Sequence, residues 1–320
     1  MSPNIFYTED FKAFRSLTEI FPENHVNWLT SELHTWDNGK GGQLQGILYK
    51  PQNFDKGGKY PLIIFYYEKM SNNLNICERP ELAEGWINIP WFVSRGYLVF
   101  TPDIHYTVGE PGNSAFTAVM TATKYLSGFN FVDTARIGLT GHSFGGYETN
   151  YIITRTGFFK AAVSAASVCN LVSMYGDLAT MDGASNQAFI EFSQYRLGKK
   201  LWDDPDMYIR NSPVFFADKV STPLFMMNNK LDAAVSFSQG VDFFTALRRL
   251  GKKVWMIQYD GEFHSLGAKE AKLDFTQRIT GFFDHYLNHA PPPEWMIKGI
   301  SARQKGTMGG LGLEKSTIVP

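Results

Sequence analysis

The 320-residue chain carries 30 basic and 31 acidic side chains, a formal net charge of −1, with 44% hydrophobic and 19% charged residues. That hydrophobic share excludes general disorder, and the even charge balance gives no field suited to nucleic acid or an anionic membrane. The longest apolar runs, such as Pro61 to Tyr67, fall far short of the ~20 residues a membrane-spanning helix needs.

Residues 1–25 read as a short N-terminal β segment with a polar turn in its middle. Residues 31–36 and 44–49 pair as a hairpin across Asn38-Gly39 and Gly41-Gly42. Then come short apolar runs rich in β-formers: 61–67, 97–101, 136–140, 161–164, 223–227 and 254–259. Such runs suit central strands covered on both faces. Helical patterns lie between them. Ser114 to Leu126 is one, and Gly146 to Arg155 a second. Ser238 to Leu250 places Val241, Phe244 and Leu247 on one stripe. Ala268 to Leu287 repeats Ala271, Phe275, Ile279, Phe282 and Tyr286 at helical spacing. Strands alternating with helices predict an α/β, doubly wound, mostly parallel sheet over residues 26–290. After Pro291-Pro-Pro293 the pattern stops. Residues 291–320 read as a C-terminal tail, Gly-rich and loose from Lys305 to Pro320.

Cys77 and Cys169 have neither metal nor redox spacing and are expected as free, partly buried thiols. No charged segment followed by an apolar one opens the chain, so with Met1 as the natural start a cytoplasmic location is expected.

Gly141-His142-Ser143-Phe144-Gly145 is a G-x-S-x-G match between a strand and a helix. That context makes Ser143 a nucleophile on a tight strand-to-helix turn, as in the α/β-hydrolase fold. The N–H of Phe144 then points at a developing oxyanion. A serine needs a base, and the base an orienting acid, in the chain order Ser, acid, His. Three histidines follow. His285 and His289 close the last amphipathic helix and read as solvated. His264 lies in the loop between the last strand and that helix, where such sheets place their chemistry. Asp232 is the carboxylate in the loop after the 223–227 strand. Asp260 and Glu262 are rivals beside the histidine, expected to be solvated.

These segments together resemble the prolyl oligopeptidase family of serine peptidases, on its dipeptidyl-peptidase and acylaminoacyl-peptidase side. Gly141-His-Ser-Phe-Gly-Gly-Tyr147, Asp232-Ala-Ala-Val235 and Gly261-Glu-Phe-His264 carry the resemblance, over about residues 26 to 297. It implies hydrolysis of short peptides through an acyl-enzyme, with no metal or organic cofactor. It implies a second oxyanion donor, the hydroxyl of Tyr67, although Glu68-Lys69-Met70 replaces the glycine and proline that often follow that tyrosine. Tyr175 becomes a candidate wall of the substrate pocket. Ala234 stands where relatives often have an asparagine that holds a substrate carbonyl. The N-terminal segment resembles the end of a β-propeller. In a longer family member a propeller would precede it, and the location would be exported and periplasmic. A homo-oligomer is left open. Two rival functions stand beside the peptidase: a carboxylesterase on the same fold, which a triad cannot distinguish, and a catalytically silent interaction domain.

Overall fold

The computed structural model describes residues 2–26, 28–39, 41–179, 183–304 and 309–312. An eight-stranded sheet in the order β10-β9-β8-β7-β5-β6-β4-β3 forms its centre. The strands are β3 (Leu29–Asp37), β4 (Gln43–Pro51), β5 (Tyr60–Phe65), β6 (Leu98–Pro102), β7 (Val132–His142), β8 (Ala161–Ala165), β9 (Leu224–Met227) and β10 (Val254–Ile257). Strands β3, β4 and β6 pair antiparallel, and β6-β5-β7-β8-β9-β10 run parallel. All of the expected strands are present. A separate antiparallel ribbon joins β1 (Phe6–Tyr7) to β2 (Arg15–Ser16), both exposed.

Alternation along the strands sends side chains to two cores. Leu62, Ile64, Leu98, Phe100, Leu139 and Met226 pack with Val119, Ile152 and Phe243. These belong to helices α2 (Pro111–Leu126), α3 (Phe144–Arg155) and α7 (Phe237–Arg249). Ile63, Val99, Val163 and Phe225 point the other way, to Phe92, Phe275, Ile279 and Phe282, on α1 (Ile89–Val93) and α8 (Lys269–Asn288). The central strands read as unbroken apolar runs because both faces are covered. The sequence pattern did not disclose α1 or three short helices between β8 and β9: α4 (Leu171–Tyr175), α5 (Asn186–Phe192) and α6 (Pro205–Arg210). At five to seven residues they are too short to display a helical period. Each instead carries a side-chain N-cap: Asn88, Asn170, Ser185 and Asp204.

The chain does not lose its structure after the three prolines. A one-turn helix, α9 (Glu294–Ile297), buries Trp295 and Met296 in the α8-side core. The Trp295 ring lies 4.9 Å from that of Phe225. Residues 305–308 and 313–320 lie outside the described residues, but 309–312 are docked, contrary to the expected loose tail. The N–H groups of Glu294 and Trp295 donate to the carbonyls of Gly312 and Gly310 at 2.8 and 3.0 Å. Arg278 donates to the Gly309 carbonyl at 2.7 Å. Backbone hydrogen bonds of this kind leave no side-chain pattern to read. Both cysteines are free, with Cys169 buried. Among the described residues no helix is long and apolar enough to cross a membrane.

The order of strands sets where chemistry can occur. From β5 the chain moves outward to β6, then returns to place β7 on the other side of β5. The loops after β5 and β7 therefore part at this switch point and leave a crevice at the strand ends.

Phe282 is fully buried and its ring meets Phe225, Trp255, Phe283 and Tyr286. Phe282→Ala should lower unfolding stability by about 3–5 kcal/mol, measured as a shift in denaturant midpoint at unchanged slope.

Candidate active site

Ser143 stands between β7 and α3 with φ 57° and ψ −118°, a conformation that side-chain-bearing residues avoid. Its N–H donates to the carbonyl of Ala165 on β8 at 2.8 Å. Close packing dictates the glycines around it. A Cβ on Gly141 would lie 2.1 Å from the Gly145 carbonyl oxygen, and one on Gly145 2.4 Å from that of Tyr66. One on Gly146 would lie 2.7 Å from that of Ala165. From Gly141 to Thr154, Ser143 alone is not buried. The turn thus lifts one hydroxyl out of an otherwise closed segment. Phe144 opens α3, so its N–H has no acceptor within that helix.

Asp232 follows β9, and its side chain is 1% exposed. Its Oδ1 accepts the N–H groups of Ala234 and Val235, both at 2.9 Å. Its two oxygens lie 2.9 and 2.8 Å from Nδ1 of His264. An ionised carboxylate can only accept, so Nδ1 carries the proton and Nε2 is left as the basic nitrogen. Asn229 ties the two loops together: its Nδ2 donates to the Phe263 carbonyl at 2.8 Å, and its Oδ1 accepts the Tyr259 N–H at 3.0 Å. His142, beside the serine, completes the contact. Its Nε2 lies 2.9 Å from the His264 carbonyl oxygen, so Nε2–H donates, and the two imidazole rings are 4.8 Å apart. Among the described residues no hydrogen bond joins Ser143 Oγ to His264, whose ring bonds go to Asp232. Resting sites often leave this contact long until substrate closes it.

The rival carboxylates separate. Asp260 is exposed and accepts from the Gln258 amide. Glu262 is not solvated as expected. It is buried and accepts the N–H groups of Gly267 and Ala268 at 2.5 and 3.0 Å, just ahead of α8. Backbone donors at a helix start satisfy a carboxylate as water would. His285 and His289 lie at the far end of α8, with His289 as its C-cap.

Tyr67 follows β5 and its ring meets that of Phe144, with centroids 6.2 Å apart. Its hydroxyl accepts from the Gln194 amide at 2.8 Å, which leaves its own proton free to donate. Tyr175 is elsewhere. It is buried, donates to Glu191 at 2.7 Å and packs on Trp202 and Tyr208. A cavity of about 610 Å³ beside Asp232 is lined instead by Val168, Met174, Leu178 and Val235, with Asp177 and Lys230 on its polar side. The short α4 turns Met174 toward this space and Tyr175 away from it. Residue spacing could not assign that orientation without knowing the helix.

A profile of the prolyl oligopeptidase family matches residues 86–290. The chain belongs to the prolyl oligopeptidase family. Membership places it among serine-type peptidases with the α/β-hydrolase fold. The family chain is 24% identical over 287 residues to the uncharacterized peptidase YuxL of Bacillus subtilis, covering 87% of this chain and 42% of that one. It is 23% identical to dipeptidyl-peptidase 5 of Porphyromonas gingivalis, covering 77% and 36%. The acylaminoacyl peptidase of Pyrococcus horikoshii superposes with a TM-score of 0.71 at 18% identity, covering 93% of this chain and 48% of that one. The chain thus spans less than half the length of these relatives.

Burial, then the neighbouring His264, pull the His142 imidazole down to about 4. In the unfolded chain it titrates near about 6.5. Between those values the unfolded state takes up a proton that the fold excludes. His142 therefore contributes stability above about pH 6.5 that is lost as pH falls toward about 4, on the order of 3 kcal/mol. His142→Gln keeps a donor for the His264 carbonyl without titrating. Denaturant unfolding of both proteins across this window should give a shallower pH dependence for the variant.

Proposed function

We propose that this chain hydrolyses short peptides by acyl transfer to water through Ser143. Ser143 attacks the scissile carbonyl while Nε2 of His264 takes its proton. The Phe144 N–H and the Tyr67 hydroxyl receive the oxyanion. His264 then delivers the proton to the leaving amine, and water attacks the ester so formed, with the same imidazole as base. Asp232 holds Nδ1 and stabilises the imidazolium. The observation that carries this reading is Asp232 gripping His264 Nδ1 with both oxygens, next to a serine held at φ 57° as the one unburied residue of its segment. The cavity beside Asp232, with apolar walls at Val168, Met174 and Val235 and polar groups at Asp177 and Lys230, supports a place for a substrate side chain. The names of the relatives, dipeptidyl-peptidase and acylaminoacyl peptidase, favour peptides over simple esters.

A fluorophosphonate probe should label the protein and Ser143→Ala should abolish labelling; label retained in that variant would reject the nucleophile. His264→Ala should cut kcat by about 10³-fold or more. Tyr67→Phe should cost on the order of 10²-fold. Parallel assays with dipeptidyl and N-acylaminoacyl anilides against short p-nitrophenyl esters separate peptidase from esterase. Turnover of esters alone would overturn the peptide assignment.

A further inference from the structure

Beside the loop that carries Tyr67 lies a carboxyl group with no part in the scheme above. Glu148 is on α3, five residues after Ser143, and completely buried. Its Oε1 is hydrogen-bonded to the Tyr106 hydroxyl, and its Oε2 has no partner. The same hydroxyl lies 2.8 Å from the main-chain carbonyl oxygen of Tyr67. The nearby cation is Arg196, which lies over the Tyr106 ring at 4.9 Å from its centroid. Its guanidinium is committed to both oxygens of Glu68, at 3.1 and 3.2 Å. Among the described residues no ion pair reaches Glu148.

Proton counting decides the state of this group. A carbonyl oxygen can only accept, so the single O–H of Tyr106 goes to Tyr67. The Tyr106 oxygen must then accept from Glu148, which requires a neutral carboxylic acid with its proton on Oε1. Were Glu148 ionised, one tyrosine proton would face two acceptors, and a buried carboxylate or carbonyl would be left unpaired, at a cost of about 1–3 kcal/mol or more. Burial acts in the same sense and holds the carboxyl well above the ordinary range, aided by the Glu68 charge and opposed by the Tyr106 hydrogen bond and Arg196. The other titratable groups facing it, Tyr66, Tyr147 and Tyr195, are buried phenols raised by their own burial, so none supplies a countercharge.

We propose that protonated Glu148 is a positioning residue: through Tyr106 it fixes the main chain of Tyr67, and with it the phenol that meets the oxyanion. The role rests on the assignment of Tyr67 made above. A neutral acid suits the place. It anchors the loop by a directed hydrogen bond and adds no negative charge next to a site where negative charge must develop.

Two measurements on the full chain test this. The infrared difference between wild type and Glu148→Gln at neutral pH should contain the C=O stretch of a protonated carboxyl. Carboxylate bands in its place would overturn the proposal. Tyr106→Phe should lower kcat by about tenfold or more with KM changed less than about twofold. In a Tyr67→Phe background it should cost less than about twofold further, because it acts through that phenol. Additive losses would overturn the role. Glu148→Leu should reproduce the Tyr106→Phe defect, and Glu148→Gln, whose amide still donates to Tyr106, should recover most of it. Gln no better than Leu would also count against the proposal. Failure of the catalytic reading appears differently, as a wild-type chain that fluorophosphonate does not label.

Discussion

Three strand ends, β5, β7 and β8, converge on a point too crowded for a Cβ at Gly141, Gly145 or Gly146. Ser143 is pinned there by its N–H bond to Ala165 and forced to φ 57°. A backbone so placed costs on the order of 1–3 kcal/mol. It persists because the strands beneath it are locked between two apolar layers. The Leu62 and Ile64 side chains enter one layer and Ile63 the other. Each such buried side chain contributes about 1.5–3 kcal/mol, so the sheet determines the turn and the turn cannot relax without disturbing the sheet. The position of Ser143 is in this sense a property of the whole core.

Around that point the polar groups follow one electrostatic rule. Beside Ser143 the charged group is the Asp232 carboxylate, which is saturated by two backbone N–H groups as well as the imidazole, while the Glu68 carboxylate next to Tyr67 is paired with Arg196. The neighbouring buried groups are neutral. His142 is deprotonated and donates to the His264 carbonyl, and Glu148 is assigned as a protonated acid behind the Tyr67 loop. In a low-dielectric site any additional fixed charge would act strongly on a developing oxyanion or imidazolium. Rigid neutral hydrogen bonds position the groups without that penalty.

The topology explains why these parts meet. Tyr67 and Ser143 lie on loops that diverge at the switch point between β5 and β7, while Asp232 and His264 follow β9 and β10 farther along the same edge. Asn229 bridges the last two loops. The insertion between β8 and β9 brings α4, α5 and Gln194 over the site from the other side. It thereby supplies part of the cavity wall and the amide that orients the Tyr67 hydroxyl.

Much of this was legible in the linear chain because it rests on local rules. Alternating apolar strands and amphipathic helices define the sheet and its two covers, and the glycine spacing around Ser143 reflects a turn with no room for side chains. The order of serine, aspartate and histidine followed from where parallel strands end. Other features depend on contacts between residues far apart, and composition carries no trace of them. Glu262 and Glu148 are both glutamates that read as solvated or unremarked. One is buried by backbone N–H groups at a helix start. The other is buried by a tyrosine 42 residues away. Tyr175 and Met174 are neighbours in a helix of five residues, and which of them faces the cavity depends on how that short helix packs. Periodicity governs burial within an element, whereas the protonation and hydrogen-bond partner of a buried polar group are set by what the fold places against it.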